Sequence, residues 1–165
     1  MKLGLLMLFL LPLLMISVGC ENPETAELRA RLERENDPGE RAKLAVKIGE
    51  NLFEEVTRTY QEGDYEAGEE RLAEYLDVLR QAHQELEASG RDARRQPKGF
   101  KELEIHLRKS RRELRDLARR LPFDKRAPLE QAIAEMGEMR TALLSNLMNV
   151  ELQRIGGEKR EEERQ

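Results

Sequence analysis

A single cysteine, no tryptophan and only 4% aromatic residues set the first limits on this 165-residue sequence. One cysteine excludes an intrachain disulfide and every zinc site built on paired cysteines. The shortage of aromatics leaves no platform of the kind on which single-stranded nucleic acid stacks. No segment alternates apolar and polar residues for long, so no strands are expected. A glycine-rich phosphate loop, a serine in a nucleophile turn and an HExxH pair are all missing. The carboxylates are many, but no pair is set apart for acid-base work. The chain therefore reads as a non-catalytic protein without a cofactor.

There is one long uncharged run, the 17 residues from Leu3 to Gly19. That is the short edge of the roughly 17 to 25 residues a spanning helix needs, and Pro12 interrupts it. Lys2 precedes the run and small residues close it, which is the order of an export signal rather than of a permanent span. Ser17-Val18-Gly19-Cys20 resembles the lipobox of bacterial lipoproteins, with Ser17 where that family favours leucine. The resemblance implies cleavage before Cys20, a diacylglycerol on its sulfur and a fatty acid such as palmitate on its amine. It also implies an exported protein, anchored to a membrane on the periplasmic or outer face of the cell envelope. The same residues fit two plainer readings, a conventional signal-peptidase cut after small Gly19 and an uncleaved anchor. Lipidation has the added consequence of removing the one thiol from an oxidising compartment.

Residues 20–165 carry the composition of amphipathic helices, with 38% charged residues in the whole chain and Leu, Ala, Glu and Arg dominant. Asn22 followed by Pro23 announces a short first helix, stopped at Asn36-Asp37-Pro38-Gly39. Its apolar residues, Ala26, Leu28 and Leu32, are few, so it is expected to be a loosely docked helix or stalk over 20–37. Leu44, Ala45, Ile48, Leu52, Val56 and Tyr60 then mark a helix that ends at Gly63, with Asp64 capping the next. Three further helices keep a seven-residue period. The third carries Tyr65, Leu72, Leu79 and Leu86 with Gly68, Tyr75 and Ala82. The fourth carries Phe100, Leu107, Leu114 and Leu121 with Leu103, Ser110 and Leu117. The fifth carries Leu129, Met136, Leu143 and Val150 with Ala132, Met139 and Asn146. Such a period predicts shallow, left-handed packing. The expected fold is all-α: an up-down four-helix bundle over 38–62, 64–89, 98–121 and 125–154, with a short extra N-terminal helix. The bundle domain closes at 155, and residues 156–165, without an apolar face, are expected to be disordered. The fifth helix carries apolar residues on more than one stripe, so it is expected at the centre of the bundle; a face shared with a second copy, making a homodimer, is the alternative.

Tyr60-Gln61-Glu62-Gly63-Asp64-Tyr65 resembles the Y-x-x-G-D-Y turn of tetratricopeptide repeats, and Leu72 and Tyr75 continue the spacing. This implies a helical hairpin over about residues 49–80. No second copy follows at a period of about 34, so a repeat array is not expected.

Charge separates along the chain. Residues 20–90 hold 9 basic against 19 acidic side chains, and residues 91–126 hold 14 basic against 6 acidic. One reading is that the basic fourth helix packs against acidic neighbours and the bundle neutralises itself. The other is that Arg108, Lys109, Arg111, Arg112, Arg115 and Arg119 leave a surface for an anionic partner, either phosphate headgroups or an acidic envelope protein. The export signal and the few aromatics argue against nucleic acid.

One constellation suggests a metal: His83 with Glu87 and Glu102 with His106, each pair four residues apart and symmetric about the 90–97 connection. Its register is against it, because the seams place the two histidines on opposite flanks. Met136, Met139 and Met148 read as core filler. Two functions remain: a non-catalytic envelope lipoprotein that serves as a helical scaffold or interaction module, and a ligand-binding or metal-handling periplasmic bundle.

Overall fold

The computed structural model describes residues 22–148, which form five helices with no strand among them. These are Pro23–Arg34 (α1), Pro38–Glu62 (α2), Tyr65–Ala88 (α3), Phe100–Ala118 (α4) and Ala127–Met148 (α5), with a single 3-10 turn at Phe123–Lys125. The export signal, Cys20, Val150, the rest of 149–154 and the tail 156–165 lie outside the described residues.

Local chemistry sets the helix ends. The Asn22 side chain accepts the Glu24 N–H at 3.1 Å, and Pro23 takes the first helical position, where its missing donor costs nothing. Asp37 repeats the device for α2, accepting the Glu40 N–H at 2.9 Å ahead of Pro38. Arg91 beside Asp37 holds that carboxyl down to about 2. α2 stops at Gly63, whose φ of 82° is left-handed, and the Asp64 N–H reaches back to the Thr59 carbonyl at 3.0 Å. Asp64 then caps α3 by accepting the Ala67 N–H. A Cβ at Gly63 would meet no atom within 4 Å, so only backbone strain opposes a larger residue there. Gly63→Ala is expected to cost about 1 to 2 kcal/mol, with Gly63→Asn recovering part of it, as read by urea denaturation.

The expected seams are the core. On α2, Leu44, Ala45, Ile48, Leu52, Val56 and Tyr60 are all buried. So are Leu72, Tyr75, Leu79, Ala82 and Leu86 of α3, where Tyr65 at the start is only half-buried, and every seam position of α4 from Phe100 to Leu117. On α5, Leu129, Ala132, Met136, Met139 and Leu143 are buried, while Asn146 is exposed. α4 ends at Ala118, three residues short of the expected 121, because Pro122 disfavours helical geometry at Leu121. Leu121 nevertheless stays buried, in the turn.

α2 packs on α1, α3 and α4, whereas α5 packs on α3 and α4. The consecutive helices α3 and α4 touch each other least. The expected central place of α5 is thus corrected, since α2 holds it. The reason is side-chain size. α2 carries Gly39, Ala42, Ala45 and Gly49 where neighbours approach, and a Cβ on Gly99, just before α4, would lie 2.8 Å from the Gly39 Cα. Gly99 has a φ of 87°, and its N–H donates to the Glu102 carboxylate at 2.7 Å, which closes the start of α4 against the start of α2. The apolar residues of α5 outside its seam, Ile133, Leu144 and Leu147, are half-buried, and Met148 is exposed.

α1 is not a stalk over its helical span. Leu28 and Thr25 are buried against α2, where Thr25 accepts a hydrogen bond from Asn51 at 3.1 Å. Arg29 pairs with Glu74 of α3 at 2.5 Å. Arg41 fixes the far end, forking onto Glu85 at 2.7 and 2.8 Å and donating to the Leu32 and Glu35 carbonyls.

Candidate functional site

The four metal candidates do not meet. His83 Nε2 lies 3.5 Å from Glu87 on its own helix, Glu102 is engaged at the start of α4, and His106 faces Tyr75. Among the described residues no three potential ligands of the His, Cys, Asp and Glu type converge. Met136 and Met139 are core residues, as their spacing implies, whereas Met148, expected with them, is exposed.

His106 instead forms the floor of a groove between α2 and α4. Its Nε2 lies 3.1 Å from the Tyr75 hydroxyl, and Ser110 donates to the His106 carbonyl at 2.6 Å. All three side chains are buried. Burial, with a smaller contribution from the Lys109 charge, lowers the imidazole from 6.5 to about 4, so it is neutral at pH 7. Burial likewise raises the Tyr75 phenol and keeps it protonated. Above this floor the groove has a volume of about 960 Å³, and its walls carry Asn22, Asn51, Glu54, Lys109 and Glu113.

The His106 shift has a measurable consequence. An unfolded histidine takes its proton near 6.5 and this one only near 4, so between these values the unfolded chain binds more protons. Stability is therefore full above pH 6.5 and falls as pH drops through the window. The expected loss between pH 7 and pH 5 is about 2 kcal/mol. The lowered carboxylates of Asp37, Glu40 and Glu85 act below about 4.5, outside this range. Urea titrations at the two pH values should show the slope in the wild type and a flattened one in His106→Gln.

The basic segment divides into two sets. Arg91 pairs with Asp37 at 2.5 Å and Lys98 with Glu40, both at the start of α2. These two are the self-neutralisation that the sequence suggested. The α4 cations do not follow them. Lys101, Arg108, Lys109, Arg112, Arg115, Arg119 and Arg120 are exposed. Arg108 lies 3.9 Å from Glu104 and Arg119 3.4 Å from Asp116, both within α4, and no carboxylate among the described residues pairs with Arg112 or Arg115.

No family model, curated protein or solved structure matches the chain. The geometry of the cationic face and of the groove therefore carries the functional argument.

Arg111, expected on that surface, has to be removed from it. It is half-buried and turns to α5, donating from Nε to the Ile133 carbonyl at 3.0 Å. Its guanidinium covers Gly137, where a Cβ would lie 3.1 Å from it. Lys101 and Ile105 belong to the face in its place. Positions 101, 105, 108, 112, 115 and 119 step by four and three, which aligns them on one side of α4 over about 27 Å. That spacing is legible in the sequence and was the missed signal.

Proposed function

We propose that this chain is an exported lipoprotein whose folded part is a non-catalytic interaction module, an up-down four-helix bundle flanked by α1, which presents the cationic side of α4 to an anionic partner at a membrane surface. The observation that carries this reading is the open stripe from Lys101 to Arg119, two of whose arginines meet no acidic side chain among the described residues. The position of α1 supports it. Asn22 lines the same groove as Lys109 and Glu113 of α4, and Cys20 lies two residues upstream, within about 7 Å of chain. A lipid on Cys20 would hold the α4 side near the bilayer, where even weak contacts count. No helix of the described residues is long and apolar enough to cross a membrane.

The test is flotation of a chain lacking residues 1–20 with anionic and neutral vesicles at low salt. Binding to anionic vesicles alone, lost as salt shortens the screening length below about 10 Å, is the expected result. Equal and negligible binding to both would end the reading. The net charge of the whole chain is -4, and removing residues 1–20 takes away only the positive Lys2, so such binding cannot come from overall attraction.

A second reading, a ligand-binding protein, is supported by the groove over His106 and Ser110. Native mass spectrometry of the protein isolated from its own cells should then show a bound mass released on denaturation. A spectrum of empty protein would remove this reading.

A further inference from the structure

We infer that the α4 side of the molecule lies flat on an anionic bilayer and that Phe123 and Ile105 enter its interfacial region. This rests on the reading of the cationic face given above and adds an apolar component to it. Among the described residues the exposed large apolar side chains are Ile105, Phe123 and Met148, at 41, 87 and 65% exposure. Two of the three lie with the cations. Ile105 stands in the stripe between Lys101 and Arg108, and Phe123 projects from the corner after α4, flanked in sequence by Arg119, Arg120, Lys125 and Arg126. An exposed phenylalanine among arginines and lysines is the pattern of a surface that sits at the headgroup boundary, with rings below and cations level with the phosphates. Neither residue is surplus core, since the seam residues around them, Leu103, Leu107, Leu121 and Leu129, are already buried.

Charge decides between lying flat and standing on end. Phe123 shares its end of the molecule with the α2–α3 turn, because Lys125 stands 5.6 Å over the Tyr65 ring. That turn exposes Glu62, Asp64 and Glu66. At the corner itself Asp124 lies 3.7 Å from Lys125. An end-on approach would bring these carboxylates against phosphates. Along the side of α4 the carboxylates beside the stripe already have partners: Glu102 is tied to Gly99, Glu104 is buried against Arg140 at 2.8 Å, and Asp116 lies 3.4 Å from Arg119. Asn22 lines the same groove as Lys109 of α4, so an anchor at Cys20 fits the flat orientation.

The chain has no tryptophan, so one introduced indole reports alone. Phe123→Trp, Ile105→Trp and, as a control on the outward face of α3, Gln84→Trp would be made in the full chain. Each would be reconstituted into phosphatidylglycerol–phosphatidylcholine vesicles and into phosphatidylcholine vesicles, with brominated acyl chains as quencher. In the anionic vesicles F123W and I105W should shift to the blue and lose most of their emission to the bromines, while Q84W stays water-like. Cosedimentation of the same samples reports anchoring separately. Reporters at 123 and 105 as unquenched as Q84W in cosedimenting protein would overturn the inference, as would equal quenching in neutral vesicles. Salt-sensitive flotation of the chain lacking residues 1–20, alongside silent reporters, would overturn the insertion of Phe123 and Ile105 and leave the cationic-face reading standing on charge contacts with the headgroups alone. Loss of that flotation would instead count against the reading itself.

Discussion

Changing Arg108, Arg112, Arg115 and Arg119 together to glutamine is expected to weaken binding to anionic vesicles by about three orders of magnitude at low salt. Each basic side chain near an anionic surface contributes about 1 kcal/mol, and four of them on one line act on the same patch of lipid. At 1.4 kcal/mol per tenfold, the sum is a factor near 10³. The fold should survive, because all four side chains are exposed and the only carboxylates they pair with among the described residues, Glu104 with Arg108 and Asp116 with Arg119, lie within the same helix. A control removes the same charge elsewhere: Arg31, Arg34, Lys47 and Arg95, also exposed, changed to glutamine. If only net charge mattered, the two quadruple variants would bind alike. Similar weakening by both sets would show that no particular face is used, and no weakening by either would dismiss the surface altogether.

The helices were legible because their signals are local. Asn22-Pro23, Asp37-Pro38 and Gly63-Asp64 each supply, within a few residues, the groups that satisfy an exposed helix end. The seven-residue seams were legible because burial follows periodicity whatever the neighbour is. Arrangement was less so. The docking of α1 depends on Thr25 meeting Asn51 and Arg29 meeting Glu74, pairs far apart in sequence that no pattern announces. The fifth helix was placed at the centre on total hydrophobicity. Small residues are the better guide, since Gly39 and Gly49 let α2 accept close neighbours, whereas the extra apolar residues of α5 stay half-buried.

The site was legible as an excess of charge and not as a surface. Counting cations in 91–126 mixed Arg91 and Lys98, which bridge to α2, with the α4 residues Arg108 and Arg119, whose carboxylates lie in their own helix, and with Arg112 and Arg115, which pair with none among the described residues. It also admitted Arg111, whose place on the helix turns it onto the Ile133 carbonyl. Reading the four-and-three spacing from Lys101 would have brought in Ile105, but it does not exclude Arg111, which stands three residues after Arg108 and four before Arg115 and is set apart only by its contact with α5. The groove left no such trace, because Asn22 precedes α1, Asn51 belongs to α2 and His106 to α4.

The face exists only while α4 is held, and Leu114 tests that hold. The side chain is fully buried, in a seam where Leu103, Leu107, Ser110 and Leu117 are buried as well. Leu114→Ala removes three methyl-type carbons from a helix flanked by α2 and α5, and relaxation around the gap is limited because both neighbours pack along its length. The expected cost is about 2 to 5 kcal/mol, a large part of the 5 to 15 kcal/mol that typically stabilises a domain. Urea denaturation should show a lower midpoint with an unchanged slope, since the area exposed on unfolding is nearly the same. The exposed neighbour Arg112→Ala should move the midpoint by no more than about 0.5 kcal/mol. A Leu114→Ala cost below about 1 kcal/mol would mean that α4 is not packed as described, and the alignment of its cations would then lose its basis.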